Sequence, residues 1–199
     1  MAEYSEKFNK MKAIRDGILT LEKSPLYRYR KQNNFLPVVG EGSHDAFVMF
    51  VGEAPGKNEA MTGKPFCGRS GDILDELLQS VGIKRESVYV TNIVKDRPPE
   101  NRDPTAEEIA VYGPFLDRQI EIIQPKIIAT LGRYSMCYIV EKFGLKDILR
   151  PISEMHGKSF SAKTSYGKIT IVPLYHPAVA IYNNKTKETL FEDFKILKK

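Results

Sequence analysis

The feature that most constrains the fold is a set of four short, mainly apolar runs that are separated by helical patterns. The runs cover residues 46–51, 87–94, 126–131 and 169–174, and each has the length of a strand that is buried on both faces. Strands that alternate with helices favour a parallel sheet with helices on both of its faces. We therefore predict an α/β fold with three layers, α/β/α, around a central four-stranded parallel sheet.

The segments between the runs carry apolar residues at helical spacing. A capping-box pattern of Thr105 and Glu108 marks the start of one helix, and Gly82 marks the end of another. The spacing predicts helices over about 73–81, 105–125 and 133–143, with flanking helices before about residue 21 and after about residue 187.

Composition sets the class of protein. The chain has 199 residues, of which 42% are hydrophobic and 28% charged, which is a globular balance and excludes a disordered chain. No segment resembles a linker, so we expect a single domain over residues 1–199. Residues 1–12 are charged and lack the apolar core of a signal peptide, and the longest apolar run is too short to cross a bilayer. We expect no membrane partner and a cytoplasmic protein, or a nuclear one in a eukaryote.

Charge and cysteine content limit the kinds of ligand and cofactor that the protein can bind. Lys and Arg number 30 against 25 Asp and Glu, and the resulting charge of +5 suits a polyanionic partner without requiring one. The two cysteines, Cys67 and Cys137, cannot form a four-cysteine zinc site or hold a four-cysteine iron–sulfur cluster. No group of His, Asp and Glu has the spacing of a metal site, so we expect no metal and no cofactor.

Ligands of parallel sheets bind beyond the carboxyl ends of the strands, so the loops there are the places to search. Gly-Glu-Ala-Pro-Gly at 52–56 forms a tight turn whose backbone N–H groups can bind a carbonyl or a phosphate, or it is simply a structural turn. Phe66 lies in a loop between Pro65 and Gly68, where it could stack on a flat ligand or pack in a small cluster.

The later loops add polar groups. Asn92 ends a strand, and its amide offers one acceptor and two donors to the edge of a planar ligand, or it forms a turn. Residues 95–102 form a proline-stiffened loop with three cations, which is either a phosphate-binding strip or a solvated loop. His176 follows the last buried strand and precedes a proline, a suitable place for an electrophile or an acid. His44 and His156 lack such a context, and we assign them no role.

Taken together, these motifs resemble the uracil-DNA glycosylase superfamily and, within it, family 4. Gly-Glu-Ala-Pro-Gly at 52–56 with Thr-Gly-Lys-Pro-Phe at 62–66 is similar to the first family motif, and Tyr-His-Pro-Ala at 175–178 to the second. Val-Thr-Asn-Ile-Val-Lys and Arg-Pro-Pro-Glu-Asn-Arg lie between them in the family order. The resemblance extends from about residue 20 to the C-terminus.

The resemblance implies a DNA-repair glycosylase that flips uracil out of DNA and hydrolyses its N-glycosidic bond. Phe66 would stack on the uracil, Asn92 would pair with its N3–H and O4, and His176 would donate a hydrogen bond to O2. The backbone of the turn, including Gly52, Ala54 and Gly56, would assist. Glu53 and Asn101 are candidates for positioning water, because Ala54 stands where better-known uracil glycosylases have an aspartate, and Glu59 would exclude the thymine methyl group.

The resemblance also implies how DNA binds. Ile181 or Tyr182 would be the wedge that fills the gap in the duplex. The partner would be uracil-containing DNA, single- or double-stranded, bound by a monomer. We expect the phosphate contacts to be made by basic residues of two loops: Arg28, Arg30, Lys31, Lys95, Arg97 and Arg102.

One departure from family 4 concerns its four-cysteine [4Fe–4S] cluster. The family pattern places those cysteines at Leu21, Ser24, Asp96 and Tyr112 of this chain. We expect apolar contacts from Leu21 and Tyr112 and hydrogen bonds from Ser24 and Asp96 to replace the cluster.

Three alternatives to a uracil glycosylase stay open from the sequence. One is a glycosylase for another deaminated base, hypoxanthine or xanthine, and another is a DNA-binding module that has lost catalysis. A third is a relative that captures uracil covalently, but the basic, histidine-containing insertion of that type does not follow Gly56.

Overall fold

The computed structural model describes residues 6–198. Within that range the helices are α1 Glu6–Leu19, α2 Tyr27–Gln32, α3 Lys57–Thr62, α4 Arg69–Ser80, α5 Ala106–Ile123, α6 Arg133–Lys142, α7 Ile152–Met155 and α8 Asn184–Phe194. The strands are β1 Glu41–Gly42, β2 Val48–Gly52, β3 Tyr89–Asn92, β4 Ile127–Leu131, β5 Phe160–Thr164 and β6 Gly167–Leu174. The five longest helices match the predicted ones, although the start of the predicted N-terminal helix, residues 1–5, lies outside the described residues.

The strands form one sheet in the order β1-β3-β2-β4-β6-β5. The four central strands are parallel, as predicted, while β1 and β5 pair antiparallel at the two edges. The sequence did not reveal these edge strands, because β1 has only two residues, both exposed, and β5 has a single buried residue and lacks a continuous apolar run. Short, polar edge strands of this kind also discourage pairing with other chains.

Alternate residues of the central strands bury on opposite faces of the sheet, which produces the three layers. Val48 and Phe50 of β2 pack into the core below α4 and α8, while Met49 and Val51 pack into the core with α1, α5 and α6. Both faces are apolar because each carries a layer of helices. The α/β/α prediction is therefore confirmed.

The local signals for α5 are present in three dimensions. The Thr105 hydroxyl accepts the backbone N–H of Glu108, and the Glu108 carboxylate accepts the N–H of Thr105, which completes the predicted capping box. The helices α2, α3 and α7 span six, six and four residues and were not predicted, because so short a segment shows no apolar period. No helix within residues 6–198 has the length and apolarity needed to span a membrane. The single-domain organisation over residues 1–199 stays a prediction.

The sheet register brings the first two predicted loops together. Gly52, the last residue of β2, pairs with Asn92, the last residue of β3. Leu131 of β4 pairs with Leu174 of β6, two residues before His176. The loops that follow β2, β3 and β6 therefore all leave the sheet on the side where the parallel strands have their carboxyl ends.

Candidate active site

A cavity of about 400 Å³ opens at the carboxyl ends of β2, β3 and β6. Its wall contains these predicted site residues: Glu53, Ala54, Gly56, Glu59, Phe66, Asn92, Asn101, Arg102 and His176. Gly52 lies behind the wall and allows the close packing there, since a Cβ atom on Gly52 would collide with the Asn92 amide oxygen and lie 2.8 Å from the Phe66 ring. The structure thus brings into one place residues that are up to 124 positions apart in the chain, from Gly52 to His176.

Phe66 lies in a strained loop between α3 and α4, outside any helix or strand. Its φ is +49°, a left-handed conformation that is rare for a bulky residue, and its side chain is 7% exposed. The Glu59 carboxylate anchors the loop by accepting the backbone N–H groups of Cys67 and Gly68, both at 3.2 Å. The Phe66 ring stacks on the His176 ring, with centroids 5.5 Å apart and planes inclined by 26°. Strain held in this way is typical of functional sites.

Asn92 presents an unpaired polar atom inside the cavity wall. The residue is 2% exposed, and its side-chain oxygen Oδ1 has no hydrogen-bond partner among the described residues. Leaving a buried polar atom unpaired costs about 1–3 kcal/mol, so an unpaired acceptor on a cavity wall indicates a ligand that donates to it.

His176 has one ring nitrogen already engaged. Its Nδ1 accepts the backbone N–H of Ala178 at 3.1 Å, across Pro177. A ring nitrogen that accepts carries no proton, so the neutral ring carries its proton on Nε2. Burial lowers the pKa of His176 from 6.5 to about 4, because it disfavours the imidazolium. At neutral pH the side chain is therefore an uncharged donor through Nε2.

The two candidates for positioning water both reach the cavity, and each also makes a contact within the protein. The Glu53 carboxylate accepts the backbone N–H of Tyr134 at 2.9 Å, at the start of α6. Burial raises the pKa of Glu53, and that N–H opposes the shift. Asn101 is exposed, and its Oδ1 accepts the Arg97 Nε–H at 2.8 Å, which leaves its amide N–H₂ as the group for other partners.

Four of the six predicted phosphate-binding cations are accessible. Arg28 and Lys31 are exposed on α2. Arg97 is half-buried and donates to the Tyr29 hydroxyl at 3.3 Å, and Arg102 is exposed but forms a two-bond ion pair with Glu108, at 2.6 and 2.9 Å.

The other two cations contradict the prediction. Lys95 is 0% exposed and Arg30 is 3% exposed, so neither can reach a phosphate in this structure. The Arg30 guanidinium turns inward to the carbonyls of Ile18 and Leu19 and to the Asp96 carboxylate. Long cationic side chains bury only when their donors find acceptors, and both residues do so.

The two wedge candidates differ in exposure. Tyr182 is 83% exposed, while Ile181, the last residue of the Pro177–Ile181 turn, is partly buried. The Arg69 guanidinium lies 5.9 Å from the centre of the Tyr182 ring. Of the two wedge candidates, Tyr182 therefore has the more exposed side chain.

The positions that correspond to the cluster cysteines of family 4 come together, but their side chains do not fit an iron–sulfur cluster. The Ser24 hydroxyl lies 2.7 Å from the Tyr112 hydroxyl, which donates to the Asp96 carboxylate at 2.6 Å. Leu21 is buried in the same core as Tyr112. Such clusters are held by cysteine thiolates, and here a hydrogen-bonded network occupies the place of the ligands. Tyr112 takes part in the hydrogen bonding, where the sequence predicted only apolar contact.

The cavity wall also contains six residues that were not predicted as site residues: Pro55, Ser70, Pro98, Asp103, Pro104 and Ala178. Asp103 accepts from the side chains of Arg133 and Tyr134 at the rim. Its place directly after Arg102 was the available signal. Ala178 contributes a backbone N–H, for which side-chain chemistry gives no signal.

Comparison with known proteins identifies the family. Residues 39–195 match the family model of the uracil DNA glycosylase superfamily. The chain is 44% identical to the type-4 uracil-DNA glycosylase of Sulfurisphaera tokodaii over 93% of this chain and 82% of that protein. It is 44% identical to the type-4 enzyme of Saccharolobus solfataricus, over 93% and 83%, and 41% identical to that of Archaeoglobus fulgidus, over 84% and 82%. The chain therefore belongs to the uracil-DNA glycosylase superfamily. Within it, these relatives are type-4 enzymes, which confirms the resemblance to family 4.

Proposed function

We propose that this protein is a monofunctional uracil-DNA glycosylase, which flips uracil out of DNA and hydrolyses the N-glycosidic bond to leave an abasic site. The observation that carries the proposal is the convergence of three side chains from three separate segments of the chain on one cavity. They are an aromatic ring, Phe66, an unpaired buried amide, Asn92, and a neutral histidine donor, His176. A flat base with polar edges matches all three.

Recognition of uracil rests on its edge and its face. Uracil presents an N3–H donor beside an O4 acceptor, and the Asn92 amide complements both, through Oδ1 and the N–H₂ group. The ring of Phe66 provides the stacking surface. Glu59 fixes the loop that carries Phe66 and occupies the cavity wall, where it would exclude a base with a 5-methyl group.

Catalysis requires stabilisation of the leaving uracil. Cleavage of the glycosidic bond develops an oxocarbenium-like sugar and negative charge on the uracil, including its O2. The Nε2–H of His176 donates to O2, and the backbone of the 52–56 turn supplies further N–H groups. A preorganised donor to a developing anion lowers the activation free energy by about 3–4 kcal/mol.

Hydrolysis also requires a positioned water molecule. Ala54 has no polar side chain, so the role falls to neighbouring groups on the wall. We assign it to the carboxylate of Glu53, which can accept from the water, and to the amide N–H₂ of Asn101, which can donate to it.

DNA binding requires accessible cations for the phosphates and a side chain that fills the gap in the duplex. Arg28, Lys31, Arg97 and Arg102 contact phosphates, and Tyr182 enters the gap that the flipped base leaves. The protein acts as a monomer on uracil-containing DNA, wherever the cell keeps its DNA, which in a bacterium or archaeon is the cytoplasm.

A single-turnover assay on a uracil-containing oligonucleotide tests the proposal, with alkali-labile cleavage as the signal for an abasic site. We expect excision by the wild type and a ~100- to 1,000-fold slower chemical step in His176→Ala, with DNA binding retained. His44→Ala is the matched control, because His44 is a partly buried histidine outside the cavity wall.

The same assay includes hypoxanthine and xanthine, because hypoxanthine presents the same donor–acceptor edge as uracil. If either base is excised faster than uracil, that base and not uracil is the substrate. DNA binding without any abasic product would overturn the assignment as an enzyme.

A further inference from the structure

Lys95 is a buried amine that the proposed chemistry does not use. Its side chain is fully buried, and its Nζ donates to the Asn92 carbonyl and to Gln119 Oε1, both at 2.6 Å, and to Thr91 Oγ1 at 2.7 Å. These three short hydrogen bonds are enough to satisfy all three protons of an ammonium group.

The partners of Lys95 are uncharged. Among residues 6–198 no carboxylate lies within ion-pair distance of its Nζ, and the neighbouring Asp96 is engaged by Tyr112 and Arg30. Burial lowers the pKa of Lys95 well below its usual value, because a buried ammonium without a carboxylate partner is expensive. An apolar residue would avoid that cost at a position with only a packing role. The arrangement therefore points to a task that requires the hydrogen bonds.

Hydrogen bonds hold the backbone at and directly after Asn92 in two directions. On one side, the backbone N–H groups of Ile93 and Val94 donate to the carbonyls of Gly52 and Glu53, at 3.0 Å each. On the other side, the Lys95 side chain turns back and binds the Asn92 carbonyl. Strand β3 ends at this residue, so these contacts fix where its side chain leaves the backbone.

We propose that Lys95 is a positioning residue for Asn92, whose backbone it clamps so that the side-chain amide meets the base in one place. The inference rests on the proposed function and adds to it a residue that touches neither base nor phosphate. It also explains why the lysine of the Val-Thr-Asn-Ile-Val-Lys motif is buried, where it cannot contact DNA. Since a displacement of about 1 Å can lower a rate ~100-fold, the effect of Lys95 falls on the chemical step.

A double-mutant cycle separates positioning from general packing. Lys95→Met replaces the ammonium with an apolar side chain of similar length, and it is measured alone and in an Asn92→Ala background. Gln119→Leu is the matched control, because it removes another acceptor of the same ammonium, also at 2.6 Å, and leaves the bond to Asn92 in place. Each variant is assayed on a single-stranded uracil oligonucleotide in single turnover, at a temperature below its measured unfolding midpoint.

We expect Lys95→Met to lower the maximal excision rate about 10- to 100-fold with unchanged DNA affinity, and to have no further effect when Asn92 is already alanine. Gln119→Leu should stay within a few-fold of the wild type. Equal losses from Lys95→Met in both backgrounds, or a Gln119→Leu loss as large as that of Lys95→Met, would overturn the inference while excision by the wild type upholds the proposed function. Wild-type protein without uracil excision would overturn both. If Lys95→Met does not fold at the assay temperature, Lys95→Leu, which also lacks a donor, takes its place in the cycle under the same criteria.

Discussion

His176 and Ala178 are joined by a hydrogen bond in which the ring nitrogen Nδ1 accepts the backbone N–H at 3.1 Å. This bond fixes the proton of the neutral ring on Nε2, the nitrogen that is left to donate. Protonation of Nδ1 would require the bond to break, and it would place a charge where desolvation disfavours it. The local backbone after β6 thus selects both the tautomer and the charge of the histidine.

The first prediction concerns pH. The pKa of His176 is lowered from 6.5 to about 4 by burial, so the unfolded chain binds this proton more readily than the folded one. The stabilising contribution is complete above about pH 6.5 and is lost as the pH falls towards 4, a decline of about 3 kcal/mol in the free energy of unfolding. Denaturant titrations at several pH values measure it, and His176→Asn should flatten the decline. An NMR titration in which the His176 ring gains its proton near pH 6.5 would contradict this prediction.

Asn92→Asp tests base recognition. An ionised aspartate can only accept, so it repels uracil O4 and accepts instead from the amino group of cytosine. Because an unpaired buried polar group costs about 1–3 kcal/mol, uracil excision should fall at least ~10-fold, and weak cytosine excision should emerge. Paired oligonucleotides that differ only in U or C provide the measurement. Wild-type rates on uracil would show that Asn92 is a turn residue.

Iron content tests the departure from family 4. Two cysteines cannot supply four thiolates, and the Tyr112 hydroxyl is hydrogen-bonded to both Ser24 and Asp96 where the ligands would be. We expect colourless protein without iron, and excision that survives a chelator. Elemental analysis and a visible spectrum check this, and about four iron atoms per chain would contradict it.

Tyr112→Phe tests whether the network stabilises the fold. The substitution removes one hydroxyl that joins Ser24 to Asp96 and leaves buried groups unpaired, so the free energy of unfolding should fall by about 1–3 kcal/mol. Tyr138→Phe is the control, because its hydroxyl also donates to an aspartate, Asp117, but at a partly exposed place. Its loss should be about 1 kcal/mol or less. Equal losses in the two variants, measured by denaturant titration, would argue against a special role for the network.

Salt dependence tests the cations on α2. Each phosphate contact that is lost lowers the slope of log affinity against log salt by about 0.7–0.9, so Arg28→Ala with Lys31→Ala should lower it by about 1.4–1.8. Lys163→Ala with Lys168→Ala is a control of equal charge. That pair faces across the β5–β6 hairpin, at the end of β6 away from His176. An unchanged slope in the α2 variant would make these residues solvated surface.

The sequence by itself determined the layers and the location of the site. Continuous apolar runs of strand length such as 46–51 favour strands that are covered on both faces, and parallel strands place their carboxyl ends on one side of the sheet. Asn92 and His176 were therefore expected there, because the one ends such a strand and the other directly follows one. Phe66 reaches the same place from the loop after α3. Local backbone signals, such as the Thr105–Glu108 capping box, were equally decisive, since all their partners lie within one turn.

Only the tertiary structure decided which polar residues are exposed. Lys95 and Arg97 are neighbours in one basic loop, yet Lys95 is buried and Arg97 is not, because the acceptors of Lys95 include Gln119, which lies 24 positions away. Ser24 and Tyr112, 88 positions apart, meet for the same reason. A long side chain takes its environment from whatever the fold packs around it, and residue type and spacing along the chain do not contain that information.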